Sequence, residues 1–287
     1  MRTTFVKTVT EDKLLLHGLL FEPDQLTEKI VIHIHGMAGN FYVNNFIHTQ
    51  AEVFTQNGWS FLTTNNRGLE HITEAFIMEG NENYKLIGVH NEKFSECVFD
   101  IKAWIDFITE KNYQNTILQG HSLGACKVVY YISTSEDLRI KKLLLAAPPD
   151  MIAITEKWDK HKTTLETAKK MIFSGEGDKL TPDRLDDWYY LTANTYVDFT
   201  QRGNPIDVFN LYDPLAKSIL EEVKIPMLAI YGSLDFAPVI PPKEALEILK
   251  KKSVNCPDFK SSVIENTDHS FTDHEEDMAK QVLNWLK

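Results

Sequence analysis

Short apolar runs that stop at glycine, asparagine or proline, each followed by a stretch of helical period, recur along this chain and dictate a layered sheet. Lys29-Ile30-Val31-Ile32-His33-Ile34 ends at His35-Gly36, and Ser60 to Thr64 ends at Asn65-Asn66-Arg67-Gly68. Asn115 to Gln119 stops at Gly120, and Lys142 to Ala147 at Pro148-Pro149. These runs are too short for helices and too continuously apolar for strands with one wet face, so they read as strands buried on both sides. Between them, residues 45–57, 96–111 and 123–134 read as helices. In the second, Cys97, Val98, Ile101, Trp104, Ile105 and Ile108 form one apolar stripe.

The alternation lapses from about Asp150 to Glu222 and resumes with a strand over 226–231, a helix over 242–252, a strand over 261–265 and a final helix over 275–286. Residues 3–21 alternate and then run apolar, as an opening antiparallel pair of strands would. The expected class is α/β, with a mostly parallel central sheet flanked by helices. A core of residues 1–149 and 223–287 would then carry a helical insertion, a lid, over 150–222. That insertion concentrates aromatics: Trp158, Trp188, Tyr189, Tyr190, Tyr196, Phe199 and Tyr212.

Composition narrows the partners. A chain of 287 residues with 43% hydrophobic content can bury one large core. A net charge of −11 disfavours nucleic acid and anionic membrane as partners, and Lys250-Lys251-Lys252 reads as the solvated end of a helix. Three separated cysteines, Cys97, Cys126 and Cys256, suit reduced thiols and a cytoplasmic location. Cys97 and Cys126 fall in apolar helical patterns and are expected to be buried. The first residues, MRTTFVKTVTEDK, carry no apolar signal segment, and no apolar run approaches the roughly 20 residues that span a bilayer.

The chemistry is concentrated at Gly120-His121-Ser122-Leu123-Gly124, a G-x-S-x-G between a strand and a helix. A strand-to-helix turn capped by serine would look similar. Glycines two before and two after the serine are what a turn needs when its backbones must nearly touch. A serine hydroxyl so presented needs a base and a group to orient that base. Downstream, His269 lies in a polar loop between the last strand and the last helix, whereas His274 sits where that helix begins and should face water. Asp235 follows an apolar strand by a short loop. Asp207 and Asp213 belong to the insertion, and Asp268 adjoins His269 and should point away. An oxyanion would need two backbone N–H donors: Leu123, after the nucleophile, and Met37, in the loop His35-Gly36-Met37-Ala38-Gly39-Asn40. His33-Ile34-His35 also forms the H-x-H pattern of some metal sites, but His35 is accounted for by its turn and His33 by the sheet. No metal and no cofactor is expected.

HGMAGN, NNRG, GHSLG, GSLD and TDH, taken together and spread over the whole chain, resemble the α/β-hydrolase superfamily, in its serine esterase and lipase-like branch. HGMAGN is similar to the oxyanion loop of acyl and cinnamoyl esterases. The stretch EKFSECVFDIKAWIDF is more faintly similar to siderophore esterases. The resemblance implies Ser122 as nucleophile, Asp235 as acid, His269 as base, and Met37 and Leu123 as N–H donors. It implies hydrolysis of a small-molecule ester; acyl transfer, thioester hydrolysis and a non-catalytic binding scaffold are the alternatives. After Arg67-Gly68 the family often continues with a small residue and a serine, where this chain has Leu69-Glu70-His71.

Overall fold

The computed structural model describes residues 1–80 and 83–287. Its strands are β1 (Arg2–Val9), β2 (Leu15–Glu22), β3 (Lys29–Ile34), β4 (Ser60–Thr64), β5 (Thr73–Phe76), β6 (Tyr84–Ile87), β7 (Asn115–His121), β8 (Ile140–Ala146), β9 (Met227–Gly232) and β10 (Phe259–Ile264). The helices are α1 (Asn45–Gln56), α2 (Cys97–Glu110), α3 (Leu123–Ser135), α4 (Met151–Glu156), α5 (His161–Phe173), α6 (Ala193–Thr200), α7 (Pro242–Lys252) and α8 (Glu275–Leu286).

Eight strands form one sheet in the order β1-β2-β4-β3-β7-β8-β9-β10. β1 and β2 pair antiparallel, β2 meets β4 antiparallel, and every later neighbour is parallel. The parallel strands are the ones whose sequence is continuously apolar, because helices cover both faces. All five residues of β4 are buried, as are Ile30 to Ile34 of β3. α1 packs on α8, and α2 on α3. Phe46, Phe54, Phe61 and Trp104 fill the layers between sheet and helices with no exposed surface; each such side chain contributes roughly 1.5–3 kcal/mol.

The chain runs from β3 outward to β4, then crosses back to β7 on the other side of β3. Loops leaving the carboxyl ends of β3 and β7 therefore diverge, and the crevice between them is where such sheets accept ligands. The segment between β8 and β9 holds α4, α5 and α6, packed on one another around Tyr196, Phe199 and Leu191.

Two features differ from the sequence expectation. β5 and β6 form a separate antiparallel hairpin, Thr73 opposite Ile87. Its inward face is only Ala75 and Ile87, while Phe76, Tyr84 and Leu86 are exposed, so no alternating core pattern announces it. Lys252, expected in solvent with Lys250 and Lys251, is buried instead. Its ammonium donates to the carbonyls of Asp213 (3.0 Å) and Ala216 (2.7 Å), which the segment between β8 and β9 brings to the end of α7. Cys97 and Cys126 are buried, as expected.

Below the β4 loop, Arg67 is the hub of a charged cluster. Its guanidinium lies 2.9 Å from Asp100, 3.1 Å from Asp12 and 2.5 Å from Glu96, and its own N–H donates to Asp100 at 2.7 Å. Asp100 has no exposed side-chain surface. Replacing Arg67 by alanine strands that carboxylate in the core, so Arg67→Ala should lower the unfolding free energy by about 3–5 kcal/mol, measured by urea denaturation.

Candidate active site

Ser122 occupies the joint between β7 and α3 at φ 55°, ψ −130°, a region that residues with a Cβ avoid. Crowding around it explains the flanking glycines. A Cβ on Gly120 would overlap the Gly124 carbonyl, and one on Gly124 would overlap the Ile34 carbonyl. The backbone is pinned by the Ser122 N–H donating to Ala146 of β8 at 2.9 Å. The side chain makes no capping bond to α3, which removes the reading of Ser122 as a helix cap. Its hydroxyl is left facing a cleft.

Two further loops converge there and are stitched together. After β9, Ser233 N–H donates to Ile264 (2.8 Å) and Leu234 N–H to Thr267 (3.0 Å), while Asn266 N–H donates to the Ser233 hydroxyl (2.8 Å). This holds Asp235 beside the loop that carries His269. Asp235 Oδ1 accepts from the Ala237 N–H and from His269 Nδ1, both at 2.9 Å, and its side chain has no exposed surface. A neutral His269 bonded in this way carries its proton on Nδ1 and leaves Nε2 as a lone pair. The alternatives are engaged elsewhere. His274 pairs with Asp277, Asp268 accepts from Ser270 and Thr272 of its own loop, Asp207 accepts from Tyr212, and Asp213 from Leu215 and Ala216.

Met37 reaches the same cleft from the β3 loop. Gly36 packs so closely that a Cβ there would lie 2.7 Å from Ser122 Cβ. Among the described residues neither the Met37 N–H nor the Leu123 N–H donates to a protein acceptor. Ser122, His269 and Met37 line one cleft of about 260 Å³. Its walls are Pro149, Met151 and Ile154 just after β8, Trp188 and Tyr189 from the middle of the segment between β8 and β9, and Phe236 and Ala237 beside Asp235. Among the described residues no Asp, Glu, Lys or Arg side chain lines it.

His33 and His35 do not converge on a common point for a metal. His33 Nδ1 meets Gln119 at 2.9 Å, and His35 is bound by Gly36 and Asn66. Among the described residues no group of three or more His, Cys, Asp and Glu is arranged to hold one, and no helix is long and apolar enough to cross a membrane.

Sequence reasoning missed His121, the variable residue of the elbow. Its Nε2–H donates to the His269 carbonyl at 2.9 Å, tying the histidine loop to the serine turn. Nothing in the chain pairs residues 148 positions apart; only the fold does. Burial, and next the neighbouring His269 imidazole, push the His121 imidazole down to about 3. His121 is neutral in the folded protein at pH 5, whereas in the unfolded chain it protonates near 6.5. The unfolded state therefore gains a proton as pH falls through 6.5, and stability drops by up to about 1.4 kcal/mol per pH unit until the folded pKa is reached. His121→Gln keeps an N–H donor and does not titrate. Denaturation at pH 7 and pH 5 should show wild type losing about 2 kcal/mol more than this variant.

The family described as "Protein of unknown function (DUF1749)" matches residues 7–287. No curated protein sequence matches the chain. In structure the chain is similar to Est1E from Butyrivibrio proteoclasticus bound to ferulic acid, at 19% identity, 98% coverage of both chains and a TM-score of 0.66. It is similar to the α/β hydrolase GrgF from Penicillium sp. sh18, at 16% identity over 100% of this chain and 98% of that one, with a TM-score of 0.70. A third likeness is to the Pyrococcus furiosus esterase PF2001, at 16% identity, 99% and 90% coverage and a TM-score of 0.64. At such identities what is shared is the fold, while the family match spans nearly the whole sequence. The chain belongs to the DUF1749 family, and its fold is that of the α/β hydrolases.

Proposed function

We propose that this protein is a serine hydrolase that cleaves a carboxylic ester through an acyl-enzyme on Ser122. The observation that carries the proposal is the convergence, in one uncharged cleft, of a strained serine that caps nothing and a histidine held by a buried aspartate. His269 takes the Ser122 proton on Nε2 as the hydroxyl attacks the ester carbonyl, and Asp235 stabilises the imidazolium that forms. The Met37 and Leu123 N–H groups stabilise the tetrahedral oxyanion. Collapse expels the alcohol with the proton from His269. Water, activated by the same imidazole, then releases the acid and restores the hydroxyl.

Residues 150–222 act as a cap over this chemistry in the proposed scheme. Trp188 and Phe236 stand edge to face at 5.9 Å and Phe236 stacks obliquely on His269 at 5.1 Å, so the acyl or alcohol group meets aromatic and thioether surface. An uncharged, apolar ester fits that lining, because a carboxylate or ammonium would lose hydration there with no countercharge to replace it.

A labelled fluorophosphonate should modify wild type at Ser122, located by peptide mapping, and leave Ser122→Ala unlabelled. Label on another residue, or equal p-nitrophenyl ester turnover by Ser122→Ala, would refute the assignment. Asp235→Asn should fold normally and lose on the order of 10³–10⁴-fold in kcat. Trp188→Ala should raise KM for an aryl ester several-fold more than for an acetyl ester and leave kcat on the acetyl ester nearly unchanged.

A further inference from the structure

Behind the cleft lies a chain of buried polar groups that the proposed chemistry does not use. Lys127, on α3, and Glu92 have no exposed side-chain surface, and Lys127 Nζ lies 2.5 Å from Glu92 Oε1. The same ammonium donates to Asn66 Oδ1 at 3.0 Å. Asn66 in turn holds His35 at two points: its Nδ2 donates to the His35 carbonyl (3.3 Å) and its backbone N–H to His35 Nε2 (3.2 Å). Finally, His35 Nδ1 lies 2.8 Å from the Gly36 carbonyl. Glu92 also lies against Gly68, where a Cβ would collide with its carboxylate.

Each contact restricts the next. An N–H pointed at Nε2 requires a lone pair there, and a carbonyl facing Nδ1 requires a proton there. Both conditions select one neutral tautomer, Nδ1–H. An imidazolium would set its Nε2–H against the Asn66 N–H. Burial, and after it the nearby Lys127 charge, push His35 down to about 3, in agreement with that neutral form. The carbonyl that His35 grips belongs to the Gly36–Met37 peptide. That peptide is trans, so its N–H points opposite to its C=O. Holding the Gly36 oxygen toward His35 turns the Met37 N–H to the opposite side of the peptide.

We infer that Lys127, Glu92, Asn66 and His35 are a positioning relay that locks the Gly36–Met37 peptide in the orientation in which its N–H serves the oxyanion. The Met37 donor role rests on the function proposed above; the peptide clamp is a property of the folded chain and is measurable without turnover. An ion pair that served only the fold would be replaceable by apolar groups of similar volume at little cost to activity.

The test is a Lys127→Met/Glu92→Leu double variant, which removes both charges together and leaves neither stranded. With the fold verified by circular dichroism, the variant should lose about tenfold to a hundredfold in kcat, with KM within twofold, since one oxyanion donor is worth roughly 10²–10³ when lost entirely. A folded double variant with wild-type kcat overturns the relay. Nitrogen NMR of imidazole-labelled wild type supplies an arm that needs neither a variant nor activity. His35 should appear as the Nδ1–H tautomer at pH 7, and an Nε2–H tautomer overturns the inference. Wild type that shows Nδ1–H but neither takes up fluorophosphonate nor turns over esters refutes the serine hydrolase reading and upholds the clamp.

Discussion

Everything at this site depends on backbones approaching one another more closely than a Cβ permits. The end of β3, the turn after β7 and the start of α3 meet where Gly36 lies on Ser122, Gly120 on Gly124, and Gly124 on the Ile34 carbonyl. Without these contacts the serine would not be forced to φ 55°, nor its side chain pushed off the axis of α3. The strain, of order 1–3 kcal/mol, is held in place by a sheet that pairs β7 on both sides and by the Ser122 N–H bond to β8. Local geometry at one residue is thus a consequence of the order of strands. The same order places the acid and histidine loops, after β9 and β10, on the neighbouring carboxyl ends.

A second constraint is polar and lies underneath. Asn65-Asn66-Arg67-Gly68 looks in sequence like a simple stop after β4, yet each residue is spent differently. Asn65 accepts from the Trp104 indole and the Phe41 N–H, Asn66 links Lys127 to His35, Arg67 gathers Asp12, Glu96 and Asp100, and Gly68 makes room for Glu92. Burying Arg67, Asp100, Lys127 and Glu92 is costly, and each is offset by an opposite charge in direct contact. The motif fastens the β4 loop to α2 and α3 and supports the β3 loop from behind.

Most of the architecture was legible in the chain because the sheet interior is apolar in continuous runs. β3, β4, α7 and α8 begin and end where the sequence pattern places them, and the other elements of the sheet core shift by one or two residues. Ser122, Asp235 and His269 were legible for a related reason: each is a polar residue in a short loop directly after a parallel strand. What could not be read are pairings across the fold. His121 with the His269 carbonyl, Lys127 with Glu92, and Lys252 with the carbonyls of the insertion join residues that no local pattern relates. The hairpin of β5 and β6 escaped notice because Phe76, Tyr84 and Leu86 are exposed beside a buried Ala75 and Ile87, which erases the alternation that marks a half-buried strand.

The loop Leu69-Glu70-His71, where the chain departs from the pattern of related hydrolases, finds its explanation in the insertion. His71 Nε2–H donates to the Tyr190 carbonyl at 2.9 Å, and its ring lies 5.4 Å from that of Tyr189. The His71 carbonyl accepts in turn from His90, whose own carbonyl accepts from the Thr192 N–H at 2.7 Å. The strip from Tyr189 to Thr192 is therefore anchored on the core from two sides. Just before it, Asp186 and Asp187 both adopt positive φ, a tight reversal closed by the Leu185–Tyr189 bridge. Aspartate is among the few non-glycine residues that adopt this conformation, and what the reversal accomplishes is to turn Trp188 toward Phe236. A departure in the core and a tight turn between β8 and β9 thus act on one aromatic wall. On the proposed function, the apparatus for making and breaking the acyl bond lies in loops of the sheet, while discrimination among esters is delegated to this wall, so the two can diverge independently within one fold.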